Sequence, residues 1–143
     1  MEDMGQTMAK SEKQKLKLLY IIQCLMEKTD EEHAVTTQEI IDYLALQGIT
    51  AERKSIYTDI DLLIDFGMDI IKKPGRSGGY TLASRQFELA ELKLLVDAVQ
   101  SSKFITTKKS RELIGKLETL CSKYEATQLH RQVVVTNRNK AVN

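Results

Sequence analysis

The side chains best suited to chemistry lie close together between residues 53 and 58. Arg53 and Lys54 carry positive charge, and Ser55, Tyr57 and Thr58 carry hydroxyl groups. Guanidinium and ammonium groups bind phosphates and the acceptor atoms of guanine, whereas hydroxyl groups hydrogen-bond to phosphates. The run therefore predicts a contact with nucleic acid, with a plain solvated helix face as the alternative.

A glycine-rich loop follows at residues 74–79. The β-prone Ile70-Ile71 precedes it and residues 80–82 alternate in polarity after it, as in a hairpin. A phosphate-binding loop would need a Lys-Ser/Thr pair that opens a helix, and Tyr80 starts a strand instead. The loop thus predicts either a tight hairpin or a wing. In a wing, Arg76 grips a phosphate or enters the minor groove, and Lys72 and Lys73 lie on the approaching strand.

Two helices must position these groups. Thr36 and Glu39 have the spacing of a capping box, which predicts the start of a helix whose core face is Ile40, Ile41 and Leu44. Gly48 ends that helix, and Thr50 is the predicted N-cap of the next.

The next helix, about residues 51–66, carries the cationic run. Its predicted core residues are Ile56, Ile60, Leu63 and Ile64, and Gly67 ends it. Three aspartates in its later turns would repel DNA, which confines contact to the N-terminal half. Helix, turn, helix and hairpin in this order present a helix to the DNA major groove.

The flanking segments are predicted from periodicity and polarity. Residues 1–10 are expected to form a disordered tail. A first helix is predicted at residues 12–28, with Lys13, Lys15 and Lys17 on its outer surface. Its apolar stripe comprises Leu16, Leu18, Leu19, Ile22, Leu25 and Met26.

Residues 85–126 are predicted to form a helical linker or dimerisation region. Its first helix carries the apolar residues from Phe87 to Val99, and Thr107 is the predicted cap of a further helix. Residues 131–138 are β-prone, and an isolated terminal strand is unfavourable. We therefore expect residues 127–143 to begin a further, truncated C-terminal domain, which makes the chain a fragment.

Composition narrows the class of protein. No apolar run approaches a membrane span, so a cytoplasmic location is expected. The net charge of +1 hides a division: residues 102–143 carry +6 and residues 1–101 carry −5. A DNA-binding surface in the first part must therefore be local. Cys24 and Cys121 are expected to be buried reduced thiols. Neither they nor the two histidines have the spacing of a metal site, and no cofactor or catalytic arrangement is predicted.

Residues 53–60, together with residues 78–82, resemble the winged helix-turn-helix of WYL-domain transcriptional regulators. The similarity continues through residues 87–104 and 131–138. It implies a bacterial DNA-binding regulator, usually a dimer, whose C-terminal WYL domain senses a ligand or a nucleic acid. It also implies that residues 127–143 are the start of that sensor domain.

The chain departs from that family at two points. Thr58 stands where many relatives have a basic residue. The chain also contains no tryptophan, so the Trp-Tyr-Leu motif is absent and most of the WYL domain is lacking.

We therefore predict a mainly α fold with a small β-hairpin: a winged helix-turn-helix at residues 11–84, then a helical linker or dimerisation segment. The predicted function is sequence-specific binding of a double-stranded DNA operator as a homodimer. The alternatives are a winged helix that binds another protein without DNA contact, and the regulatory part of an enzyme. The predicted DNA-binding residues are Thr36, Thr37, Arg53, Lys54, Ser55, Tyr57, Thr58, Lys72, Lys73, Arg76, Ser77 and Tyr80.

Overall fold

A computed structural model describes the backbone of residues 2–75 and 78–136, and side chains from residue 13 to residue 133 within those ranges. The chain divides into two compact units, residues 1–84 and 85–143. The first contains α1 (Glu2–Lys28), α2 (Thr37–Leu46), α3 (Arg53–Phe66), β1 (Ile70–Lys73) and β2 (Gly79–Leu82). The second contains α4 (Leu89–Ser101), α5 (Thr107–Glu118) and α6 (Lys123–Thr136). The predicted fold class, mainly α with a small β-hairpin, is confirmed.

The helix α1 differs from its prediction in its start and in its buried face. It begins at Glu2, so residues 2–10 of the segment expected to be disordered are helical. Ile21, Cys24 and Leu25 are fully buried, whereas Leu19 of the predicted stripe is 60% exposed. Leucines are so frequent in this helix that helical spacing alone allows two neighbouring faces, and packing against α2 and β2 selects one of them.

The start of α2 agrees with the sequence pattern, and that of α3 does not. The Thr36 hydroxyl accepts from the Glu39 amide at 3.1 Å, and the Glu39 carboxylate accepts from the Thr36 amide at 2.9 Å. This reciprocal capping box is the predicted one. The prediction of Thr50 as the α3 N-cap is wrong, because Glu52 occupies that position without a capping side-chain bond. Gly48, with φ +80°, allows the tight turn between the helices.

The hairpin is attached to the helices by backbone and side-chain bonds. Strands β1 and β2 are antiparallel, and Ile70 lies opposite Leu82. The backbones of Val35 and Tyr80 exchange two hydrogen bonds of 3.0 and 2.8 Å, which form an isolated antiparallel bridge beside β2. At the far end of β2, the Thr29 hydroxyl accepts from the Leu82 amide at 3.0 Å. These bonds fix the hairpin next to α2 and to the end of α1.

The second unit is a small helical bundle with its own core. Leu92 and Val96 of α4, Ile114 of α5 and Leu129 of α6 are buried together with Cys121. The N-cap of α5 is Thr106, whose hydroxyl accepts from the Lys109 amide at 3.2 Å, so the prediction of Thr107 is wrong by one residue.

The strand predicted at residues 131–138 is wrong over its described part, because α6 continues to Thr136. Leu129 and Val133 lie four residues apart and both pack into the core of this unit. The Gln100 amide also donates to the Val133 carbonyl at 3.1 Å. This packing outweighs the weak helix preference of the valines. The predicted boundary between residues 126 and 127 falls inside α6, and residues 137–138 lie outside the described part of the chain. Among the described helices, none is long and apolar enough to cross a membrane.

Burial raises the pKa of the Cys24 thiol from 9.0 to about 11. In the unfolded chain this thiol ionises near its ordinary pKa. Unfolding should therefore release a proton between about pH 9 and 11, and the free energy of unfolding should fall as pH rises through that window. Denaturant titrations at a series of pH values test this, with Cys24→Ala as the comparison. The alkaline fall should become shallower in the variant, and an unchanged fall would assign it to other groups.

Candidate nucleic-acid interface

The helix α3 has one buried face and one exposed face. Ile56 and Ile60 are fully buried in the first unit. On the opposite side, Arg53, Lys54, Tyr57 and Thr58 are exposed. They occupy the first two turns at positions one, two, five and six, so they form one continuous surface. Four of the predicted DNA-binding residues are thereby brought together.

Arg53 is connected to the preceding helix through a residue that was not predicted. Its guanidinium donates to the Gln38 side-chain oxygen at 3.2 Å, and the Gln38 amide nitrogen donates to Asp42 at 2.9 Å. All three side chains are exposed. Gln38 lies inside the capping-box sequence, in the first turn of a helix. This position was the one feature of the sequence that could have indicated Gln38 as a candidate DNA-binding residue. Arginine and glutamine side chains can each make bidentate bonds to a base, to guanine and adenine respectively.

Ser55 belongs to the internal side of α3. Its hydroxyl accepts from the Lys17 ammonium at 2.9 Å and donates to the Glu52 carbonyl at 2.8 Å. The same ammonium lies 2.7 Å from the Asp59 carboxylate. The prediction of Lys17 on the outer surface is wrong, because this residue is only 8% exposed. Lys17 therefore ties α1 to the first two turns of α3.

Three other predicted residues have structural contacts. Thr36 uses its hydroxyl in the capping box. Thr37 and Tyr80 are both buried, and their hydroxyl oxygens lie 3.3 Å apart. Together they join α2 to the hairpin. A buried hydroxyl cannot reach a phosphate without a rearrangement, so the exposed surface is smaller than the predicted set.

The wing and the second half of α3 carry opposite charges. The Lys72 ammonium lies 2.7 Å from the Asp61 carboxylate, and both side chains are more than half exposed. The hydrogen bond that Lys72 donates to Asp61 raises the pKa of Lys72. Lys73, at the end of β1, is also exposed. Arg76 and Ser77, the predicted tip of the wing, lie outside the described residues.

Comparison with known proteins finds a similarity over the part of the chain that carries this surface. Residues 19–75 match the family model described as FokI, D3 domain, which is a winged-helix-like DNA-binding domain. The catalytic domain of that restriction-enzyme family is a separate domain. The matched range runs from within α1 to just beyond β1 and includes both helices of the candidate interface. No curated protein and no solved structure matches this chain. The first unit is thus similar to winged helices of the DNA-binding type.

Proposed function

We propose that this chain is a sequence-specific, double-stranded DNA-binding transcriptional regulator rather than an enzyme. The observation that carries the proposal is the outward face of α3, where Arg53, Lys54, Tyr57 and Thr58 stand together on a helix held by its opposite face. The family match over residues 19–75 supports the same class. The resemblance to WYL-domain regulators extends the proposal to a cytoplasmic homodimer whose effector, if it has one, binds a C-terminal sensor domain.

In this proposal the first two turns of α3 enter the major groove. Arg53 and Gln38 then read base edges, because both present side-chain groups suited to bidentate bonds. Lys54, Tyr57 and Thr58 contact phosphates and fix the register of the helix on the duplex. The wing lies on the flanking groove, with Lys73 and Arg76 as its cations. Asp61 and Asp65 keep the later turns of α3 away from the backbone of the DNA.

Replacing Arg53 with alanine should weaken binding to a cognate duplex by roughly 1–3 kcal/mol, because a bidentate base contact is lost. The duplex can be obtained by selection from a random library with the wild-type chain. Mobility-shift titrations then compare Arg53→Ala and Gln38→Ala with the wild type. The fold should be unaffected, since the described side-chain bond between these two residues is exposed.

Lys15→Ala is the matched control for this titration. Lys15 is exposed on α1, two residues away from Lys17 and therefore on the opposite side of the helix from α3. Its loss should leave affinity within about twofold, as is usual for surface changes without a specific partner. Equal affinities for Arg53→Ala, Gln38→Ala and wild type on every selected duplex would overturn the groove assignment.

A second candidate function is protein binding by the same winged helix. The observation that favours it is the later part of α3, where Leu62 and Phe66 are 51% and 82% exposed beside two aspartates. The salt dependence of binding separates the two functions. Affinity for DNA should fall steeply with salt because counterions are released, whereas an apolar protein interface should be nearly insensitive to salt.

A further inference from the structure

The net positive charge of this chain lies in the unit that does not carry the winged helix. Residues 1–84 contain ten Lys and Arg against fourteen Asp and Glu, a net charge of −4. Residues 85–143 contain eleven against six, a net charge of +5. Nonspecific attraction to DNA comes from cations that neutralise phosphates. The first unit, with its net negative charge, should therefore have little nonspecific attraction to DNA.

Ion pairs further reduce the number of cations in the first unit that are available to phosphates. Lys17 pairs with Asp59, and Lys72 pairs with Asp61. Of the cations on the described part of the candidate interface, this leaves Arg53, Lys54 and Lys73 without an ion pair to a described residue. Three cations beside exposed Asp61 and Asp65 give a weak local field, so phosphate contacts from elsewhere in the chain would add much to affinity.

The helix α5 presents such contacts on one side. Ser110 and Ile114 are buried, and the opposite side exposes Lys108, Lys109, Arg111 and Lys116, which we call the α5 basic face. Its one carboxylate, Glu112, lies 3.6 Å from Lys109. Lys108, Arg111 and Lys116 form no ion pair with any described residue.

Two features of the α5 basic face are unfavourable for the fold itself. Lys108 and Lys109 lie in the first turn, where the positive end of the helix dipole disfavours cations. Gly115 lies one turn after Arg111, in a helix interior where glycine is a poor residue. A side chain there would meet no atom of a described residue within 4 Å, so packing within the described part of the unit does not require a glycine. The result is bare backbone beside Arg111 and Lys116, with the nearby Glu112 carboxylate paired to Lys109, which suits the close approach of a phosphate chain.

We propose that the α5 basic face is a second nucleic-acid contact, which binds the phosphate backbone of duplex DNA without reading its sequence. This inference rests on the proposed function, because the winged helix supplies the specific contact and holds the second unit at high local concentration near the duplex. The basic face adds affinity and salt dependence and adds no preference for sequence. Lys108, Arg111 and Lys116 make the phosphate contacts, and Gly115 leaves room for them.

The full chain carrying Lys108→Gln, Arg111→Gln and Lys116→Gln tests the inference against a short labelled duplex. Each lost phosphate contact lowers the slope of log affinity against log salt by about 0.9, so the triple variant should lose about 2–3 in slope. At about 0.1 M salt its affinity should fall roughly 10–100-fold. The matched control changes Lys93, Lys103 and Lys123 to glutamine. These residues are exposed elsewhere in the same unit and carry the same total charge.

A second pair of variants distinguishes a lost phosphate contact from a loss of binding caused by misfolding. Gly115→Glu and Gly115→Gln both replace glycine with a better helix former, so neither should melt at a lower temperature than wild type. Gly115→Glu places a carboxylate among the cations and should weaken duplex binding at least about tenfold relative to Gly115→Gln at low salt. This comparison separates charge from bulk.

The outcomes distinguish the inference from the proposed function. A triple variant that binds like wild type, or like its charge-matched control, overturns the α5 contact and leaves the groove assignment standing. A face that serves an acidic protein would give that same unchanged duplex binding. Conversely, a large loss in the triple variant with no effect of Arg53→Ala supports the α5 contact and overturns the groove assignment. A wild-type chain without salt-dependent duplex binding overturns both.

Discussion

Replacing Lys17 with methionine should lower the free energy of unfolding by about 3 kcal/mol, the lower end of the range for breaking a buried ion pair. Lys17 and Asp59 are 2.7 Å apart, and their side chains are only 10% and 15% exposed. The substitution leaves a carboxylate with little water and no cation. It also removes the donor to Ser55, whose hydroxyl bonds to the Glu52 carbonyl at the start of α3. Urea unfolding followed by circular dichroism measures the loss.

Two further variants interpret that result. Lys15→Met makes the same chemical change on the exposed side of α1 and should stay within about 0.5 kcal/mol of wild type. The double variant Lys17→Met with Asp59→Leu replaces the pair by apolar groups and should recover most of the stability, because no charge is then left buried. Should Lys17→Met and Lys15→Met prove equally stable, the ion pair makes no contribution to the fold.

Replacing Gly79 with alanine should destabilise the first unit by about 4 kcal/mol, through backbone strain and lost hydrogen bonds. Gly79 has φ +149°, and a Cβ there would lie 2.1 Å from the Val35 carbonyl oxygen. That approach is far inside van der Waals contact. To relieve it, the segment at Val35 must move away from β2, which breaks the two bonds that Val35 and Tyr80 exchange. Urea unfolding measures the loss in the free energy of unfolding. Hydrogen exchange of the Tyr80 amide shows whether its bond to the Val35 carbonyl has broken.

Gly75→Ala is the control within the same hairpin. Gly75 also has a positive φ, of +98°, but a Cβ there would meet no atom of a described residue within 4 Å. Its replacement should therefore cost only the strain of the backbone conformation, about 1 kcal/mol. The difference between the two variants measures the clash with Val35. Equal losses would show that the close approach to Val35 does not matter.

Local patterns predicted most of the secondary structure of the first unit. The capping box at Thr36 and Glu39, the glycines after α2 and α3, and the two strands around the glycine-rich loop all act through neighbours in sequence. Their physical causes are local as well: an orphan amide that needs an acceptor, or a turn that needs a positive φ. The exposure of Arg53, Lys54, Tyr57 and Thr58 was predictable for the same reason, since the buried face of α3 repeats at helical spacing.

The composition of the candidate interface was not predictable in the same way. Ser55 and Thr58 are both hydroxyl residues on α3, yet Ser55 faces a lysine 38 residues earlier in the chain. Tyr80 and Thr37 meet across 43 residues and are buried. Gln38 reaches Arg53 only because the turn at Gly48 places the starts of α2 and α3 next to each other. Periodicity reports which side of a helix is polar and cannot report which polar side chains already have a partner.

The sequence by itself determined the order of helices and strands in the winged unit, because caps, turn residues and apolar spacing are local free-energy terms. It also determined the uneven distribution of charge along the chain. Only the tertiary structure decided that α6 is a helix rather than a strand, because packing of Leu129 and Val133 outweighs the preference of the valines. The burial of Lys17 was decided in the same way. A long cationic side chain leaves water only where a distant carboxylate and hydroxyl are already in place to receive it.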